Sequence, residues 1–283
     1  MQPKIGVIGG SGVYDIDGLE NPEWLTVETP WGDPSDAILT GQINGTEMAF
    51  LPRHGRGHIH SPTSVPYRAN IDALKRLGCT DILAVSAVGS LRIDYKPGDF
   101  VLVDQFIDRT FARDTSFFGP GLVAHVSLAQ PTCARLGEAV TKAADGLTLH
   151  PDAIYLAIEG PQFSTLAESR LYRSWGADVI GMTGMPEARL AREAEICYAS
   201  VAMVTDYDCW HETPVDVAQV IAILTANAAK ARQIVASLPA TLTRPDTCPC
   251  GCDRALTHAV LTAPAKRDPE MIARLDAVAG RVL

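Results

Sequence analysis

Two aspartates two residues apart, Asp206 and Asp208, follow an apolar run in Thr205-Asp206-Tyr207-Asp208-Cys209-Trp210. The run itself, Cys197 to Val204, has the unbroken apolar character of a strand buried on both faces in a parallel sheet. Carboxylates at the carboxyl end of such a strand stand where open α/β sheets take their ligands. Burying them is costly unless they are paired or put to use. An acidic loop that opens the next helix accounts for the same residues.

Other strand ends offer complementary chemistry. Gly9-Gly10-Ser11-Gly12 lets backbone N–H groups approach an anion, with the Ser11 hydroxyl as a further donor. It is not a dinucleotide fingerprint, because Asp15 stands where the third glycine belongs, and no Gly-Lys-Ser/Thr ending marks a P-loop. A tight turn is the plainer reading. Arg53 and His54, before Gly55, suit a phosphate or carboxylate clamp, since arginine offers a planar fork of donors; a solvated basic loop is the alternative. His58 and His60 are read as loop residues. Ser86-Ala87-Val88-Gly89-Ser90 ends another strand with small hydroxyl residues, which either meet an oxyanion or cap a turn. Phe163 and Ser164 can stack a flat ring and bond its edge, or Phe163 can be plain core. Met182 and Thr183 precede Pro186 in a helix's first turn and can meet a sugar face and an anion. Together these segments describe a pocket for phosphate, sugar and heterocycle. No lysine nucleophile, metal-ligand cluster or Gly-x-Ser-x-Gly elbow competes with that chemistry.

The elements that position them alternate. Strands are expected at Ile5–Ile8, Met48–Leu51, Ile82–Ala87, Phe100–Val103, Ile154–Ile158, Val179–Gly181 and Cys197–Val204, with helices at Val65–Leu77, Thr132–Ala144, Ser164–Trp175, Pro186–Ala194 and Val215–Leu238. This is an α/β pattern. At 283 residues it fits one domain, 1–283, whose composition shifts near 240 into a C-terminal extension ending in a helix over Pro269–Leu283.

A net charge of −9 argues against a nucleic-acid surface. The first ten residues lack the apolar length of a signal peptide, and the apolar stretch Val215 to Leu224, broken by Asp216 and Gln219, is too short to span a membrane, so a cytoplasmic location is expected. Cys79, Cys133, Cys197 and Cys209 read as scattered, reduced thiols, and Cys248, Cys250 and Cys252 form a separate cluster.

Gly9-Gly10-Ser11-Gly12, Arg53-His54-Gly55, Gly89-Ser90-Leu91, Pro97-Gly98-Asp99, Asp104 to Thr110, Glu159-Gly160-Pro161, Met182-Thr183 and Thr205 to Trp210 closely resemble the 5′-methylthioadenosine phosphorylases, in the trimeric branch of the purine nucleoside phosphorylase superfamily. The likeness runs from about Ile5 to Leu238 in the family's order. It implies a mixed, partly barrel-like sheet flanked by helices, in a homotrimer or dimer of trimers. It implies phosphate binding by Ser11, Arg53, His54, Ser86, Ala87 and Thr183, with Met182 against the ribose. Phe163 and Ser164 become the purine wall, Asp206 and Asp208 the carboxylates at the adenine edge, and Val217, Val220 and Ile221 the methylthio pocket. His125 matches a histidine donated across a subunit interface. The same likeness suggests a stabilising or redox role for the C-terminal cysteines, some members having a Cys-x-Cys disulfide there. Ser11 and Ser86 replace a common threonine, and Gly181 an asparagine; the Gly181 to Glu187 version also resembles the methylthioinosine phosphorylases.

The implied reaction is phosphorolysis of methylthioadenosine to adenine and 5-methylthioribose 1-phosphate, with phosphate as co-substrate and no metal or organic cofactor. Asp206 is the expected general acid, its carboxyl raised by burial and by Asp208. A 6-oxopurine nucleoside or methylthioinosine phosphorylase is the alternative enzyme. A nucleotide- or metal-binding regulatory protein, drawing on the glycine loop, the cysteine cluster and His258, is the non-enzymatic one.

Overall fold

The first apolar run becomes β1 (Lys4–Gly9), which pairs in parallel with β4 (Thr46–Pro52) on one side and β5 (Asp81–Ser90) on the other. This computed structural model describes residues 3–10, 12, 16, 18–212 and 217–283, the side chains of 217 and 219 excepted. Beyond β4 lie antiparallel β3 (Ile38–Ile43) and β2 (Glu20–Leu25). In the other direction β5 meets both β8 (Val179–Gly181) and β9 (Cys197–Asp206), and β7 (Leu149–Ile158) with β6 (Phe100–Arg109) completes the circuit. Thus β5, β8, β7, β6 and β9 close into a five-stranded barrel from which the other four strands extend. Pairing is mixed, with β5–β9 parallel but β6–β9 and β5–β8 antiparallel. Family and fold expectations agree here.

Every residue of β9 from Cys197 to Thr205 is buried. Tyr198, Ala202 and Val204 enter one apolar cluster, Cys197, Ala199, Val201 and Met203 another, which is why the run lacks a polar alternation. Strands β2 and β3 went unforeseen. β2, Glu-Asn-Pro-Glu-Trp-Leu, is an exposed edge almost throughout and has no apolar period to read.

The expected helices form as α1 (Tyr67–Arg76), α2 (Ala134–Ala143), α3 (Leu166–Ser174), α4 (Gly184–Glu193) and α5 (Val217–Thr241). α3 begins after Ser164 because Thr165 caps it: Glu168 N donates to Thr165 Oγ1 at 3.3 Å while Thr165 N donates to Glu168 Oε2 at 2.7 Å. The expected start of α5 at 215 lies outside the described residues. Pro269–Leu283 is not one helix but two short ones, α6 (Pro269–Arg274) and α7 (Asp276–Ala279). The break at Leu275 buries that side chain and lets Asp276 pair with Arg76 of α1. No described helix is long and apolar enough to cross a membrane.

The cysteines are not scattered as expected. The Sγ atoms of Cys133, Cys197, Cys248 and Cys252 all lie within 4.8 Å of one another, because the residue before α2 and the start of β9 both face the C-terminal segment.

Candidate active site

Register brings the carboxylates to the strand ends. Gly89 near the end of β5 pairs with Asp206 of β9 on one side and Ile180 of β8 on the other, so the segment after β8 and the aspartates flank one strand. Asp206 accepts from Thr205 Oγ1 at 2.7 Å through one oxygen and from Asp208 N at 2.8 Å through the other. Asp208 is 4% exposed and adopts a left-handed backbone, φ +49, which an aspartate tolerates better than most residues. Burial pushes the Asp208 carboxyl up, and the neighbouring Asp206 charge adds to the effect. Asp206 itself is half-buried.

At the anion end, Arg53 N donates to Gly9 O at 2.9 Å and ties the loop after β4 to the end of β1. The Arg53 guanidinium is buried, and most of its donors are engaged. Nε and Nη2 hold both oxygens of Glu187 on α4 at 2.9 and 3.0 Å, while Nη1 reaches Val85 O and Nη2 Ile8 O. The expected open clamp is therefore largely an internal ion pair, with one Nη1 hydrogen unassigned among the described residues. His54 bonds His60 O through Nδ1 at 2.9 Å and stacks on His58; burial, then the Arg53 charge, lowers its imidazole to about 4. Because a carbonyl only accepts, the proton of this neutral ring is on Nδ1 and Nε2 is an acceptor. Ser86, next to Val85, carries a buried hydroxyl with no partner among the described residues, and Ala87 follows it on β5. Ser11 lies outside the described residues.

Thr183, at the start of α4, donates its N–H to Tyr155 Oη at 3.3 Å. Tyr155 also explains Gly181: a Cβ there would lie 2.1 Å from Tyr155 Oη, so the phenol fills the space an asparagine side chain would need. Sequence reasoning missed this tyrosine, and it missed Arg113. Arg113 reaches Met182 O at 2.6 Å, Met185 O at 2.7 Å, Glu159 O at 2.6 Å and Tyr67 Oη at 3.0 Å. It fixes the Met182–Thr183 segment against the end of β7. Glu159 opposes it; burial works against its charge, but Thr63, the amides of Phe111 and Ala112, and Arg113 hold its carboxyl down at about 2. The motif Glu159-Gly160-Pro161 signalled the carboxylate, but nothing local signalled its partner.

Phe163 is 54% exposed, and Ser164 has a buried, unpartnered hydroxyl while its carbonyl accepts from Cys209 Sγ at 3.3 Å. On α5, Ile221 is 57% exposed and Val220 half-buried; the Val217 side chain lies outside the described set. His125 is exposed, and its N–H bonds Ala259 O at 2.9 Å. The structure thus joins Asp206, Asp208 and Ser164 at one end and Arg53, His54 and Ser86 at the other. Among the described residues it shows no hydrogen-bond partner for the His125 side chain.

Barrel strand ends with an anion loop, hydroxyls unpartnered among the described residues and a carboxylate pair define a nucleoside-type binding enzyme. The chain belongs to the phosphorylase superfamily, whose model matches residues 4–239. It is 69% identical to the S-methyl-5′-thioadenosine phosphorylase of Cereibacter sphaeroides, covering 100% of this chain and 99% of the relative, and 61% identical to that of Rhodospirillum rubrum, covering 100% and 98%. A crystal structure of a methylthioadenosine phosphorylase from an antarctic soil metagenomic library matches with a TM-score of 0.93 at 46% identity, over 98% of this chain and 99% of the other. A variant adenosine/methylthioadenosine phosphorylase of Schistosoma mansoni, solved in complex with methylthioadenosine, matches with a TM-score of 0.80 at 38% identity, over 84% and 91%.

Proposed function

We propose that this chain catalyses the reversible phosphorolysis of 5′-methylthioadenosine to adenine and 5-methylthioribose 1-phosphate. The observation that carries the reading is a pair of buried hydroxyls unpartnered among the described residues, Ser86 beside the Arg53 loop and Ser164 beside the Asp206–Asp208 segment. Orphaned buried hydroxyls cost stability unless a ligand completes them, and these two stand at the phosphate and purine ends.

In this reading phosphate rests on Ser11, Ser86, the Ala87 backbone, Thr183 and the remaining Arg53 hydrogen, with neutral His54 accepting a hydrogen bond from it. A phosphate oxygen attacks the anomeric carbon as the glycosidic bond breaks; its electron pair leaves with the purine, and the bound anion stabilises the positive ribose. The Asp206–Asp208 pair accepts from the adenine amino group and delivers a proton to ring position 7, Asp206 being the general acid. No metal or organic cofactor takes part in these steps. Met182 lies under the ribose, Phe163 and Ser164 against the base, and Val217, Val220 and Ile221 around the methylthio group. The exposure of Phe163, Ile221 and His125 suits walls covered by ligand and by a neighbouring subunit, in a cytoplasmic homotrimer or dimer of trimers. The whole chain acts as one domain, with residues 240–283 an extension of it.

The Asp206–Asp208 pair favours adenine over a 6-oxopurine, because a carboxylate accepts from the 6-amino group and cannot donate to a 6-oxo group. Purine release should be assayed with and without phosphate on methylthioadenosine, adenosine, methylthioinosine and inosine. The expected result is phosphate-dependent adenine release, with a specificity constant for methylthioadenosine at least about tenfold that for adenosine. Preferential release of hypoxanthine, or release independent of phosphate, overturns the reading.

A further inference from the structure

We infer that Cys133, Cys197, Cys248 and Cys252 form a tetrahedral thiolate site for a single zinc ion, which fastens the C-terminal segment to the barrel. All four are 1% exposed or less, and their sulfurs lie within 4.8 Å of one another. Cys133 Sγ and Cys248 Sγ are 3.7 Å apart. A tetrahedron with Zn–S bonds of about 2.3 Å has edges of about 3.8 Å, so the Cys133–Cys248 pair has the spacing of a metal shell and the other thiols lie within about 1 Å of it.

Three remote pieces of chain build it. Cys133 caps the start of α2 and donates its N–H to Tyr198 O at 2.8 Å, and Cys197 opens β9. Cys248 and Cys252 are separated by three residues, within the range of paired zinc ligands. The turn between them depends on Gly251, at φ +69, whose N–H bonds Cys248 O at 2.9 Å, while Cys248 N bonds Asp253 Oδ2 at 2.8 Å. Cys250, on the same turn, is outside the set. Binding releases a proton from each protonated thiol and leaves a buried dianion. One cation lies beside Cys197: Arg135, which pairs with Asp81 through Nη2 and keeps a buried Nε without a well-placed acceptor among the described residues.

The full-length protein, purified without chelator, should contain one zinc per chain by elemental analysis. Cobalt(II) added to the metal-depleted, reduced protein should give the intense absorption of a tetrahedral thiolate complex. Cys248→Ser should lose the zinc and Cys250→Ser should keep it, with turnover of the folded enzyme similar in both. Should Cys248→Ser fail to fold, the cobalt spectrum of the unsubstituted chain still decides. Reduced protein that binds neither added zinc nor cobalt overturns the proposal. So do disulfides among these four residues in protein as isolated, detected as thiols that resist alkylation until reduced.

Discussion

At its carboxyl end β9 brings Asp206 and Asp208 to a partly open surface, and at its amino end it places Cys197 among thiols with no solvent contact. Both ends gather groups from distant elements, yet their states differ. The acidic end leaves the Ser164 hydroxyl unpartnered among the described residues and one carboxylate half-buried; the four thiols at the other end are buried. A group that meets substrate must keep a free valence, whereas a group that holds the chain together is best enclosed. The Arg53–Glu187 pair sits between these extremes. It belongs to the anion loop by position and to the interior by burial.

The largest effect is expected at the acidic end. Asp206→Asn removes the proton source but preserves shape, so adenine release should fall about 10²–10⁴-fold while the thermal midpoint hardly moves. Hypoxanthine release from methylthioinosine should fall much less, because the amide still donates to an oxopurine. Parallel kinetics on the two nucleosides, with a melting curve, check this. An equal fall for both, or a large loss of stability, would put Asp206 in the same structural class as the thiol end.

Next comes Arg53→Ala. Removing one member of a buried pair strands the other charge and costs about 3–5 kcal/mol. The guanidinium is 2% exposed and bonds both Glu187 oxygens, with Tyr198 Oη on one of them at 2.9 Å. The denaturant midpoint should therefore drop strongly, and Glu187→Gln in the same background should cost little more. If stability holds while the phosphate KM rises sharply, the Arg53 contact to phosphate outweighs its pair with Glu187 and the boundary between the two regions moves.

The acidic end was legible because its signal is local. A strand-length apolar run followed by Asp-x-Asp needs no partner to be noticed, and the same holds for Arg53-His54 and Glu159. What the sequence hid is set by distance. Arg113 matters only because folding lays it across the ends of β7 and β8, and Tyr155 only because its ring points at Gly181. The thiol set joins Cys133 to Cys248 across 115 residues. Burial also redirected residues read correctly by type: Arg53 was seen as a donor fork, but its acceptor is Glu187. The strand β2 stayed invisible because an exposed edge has no apolar period.

The smallest expected effect tests whether base choice is fixed by packing. Gly181→Asn introduces the asparagine that the family often carries at this position, but its Cβ would stand 2.1 Å from Tyr155 Oη and 2.6 Å from Cζ. Tyr155 is fully buried, and its hydroxyl accepts the Thr183 N–H, so moving the ring disturbs the anion end as well. The backbone has little room to yield, because Gly184 is closely packed against Phe106. Overpacking of this kind costs about 1–3 kcal/mol. The variant should be destabilised by that amount in urea titration, with slower adenine release and no gain in hypoxanthine release. A gain would show that Tyr155 can step aside, and that the choice between bases lies in the residue at 181 rather than in the carboxylates of β9.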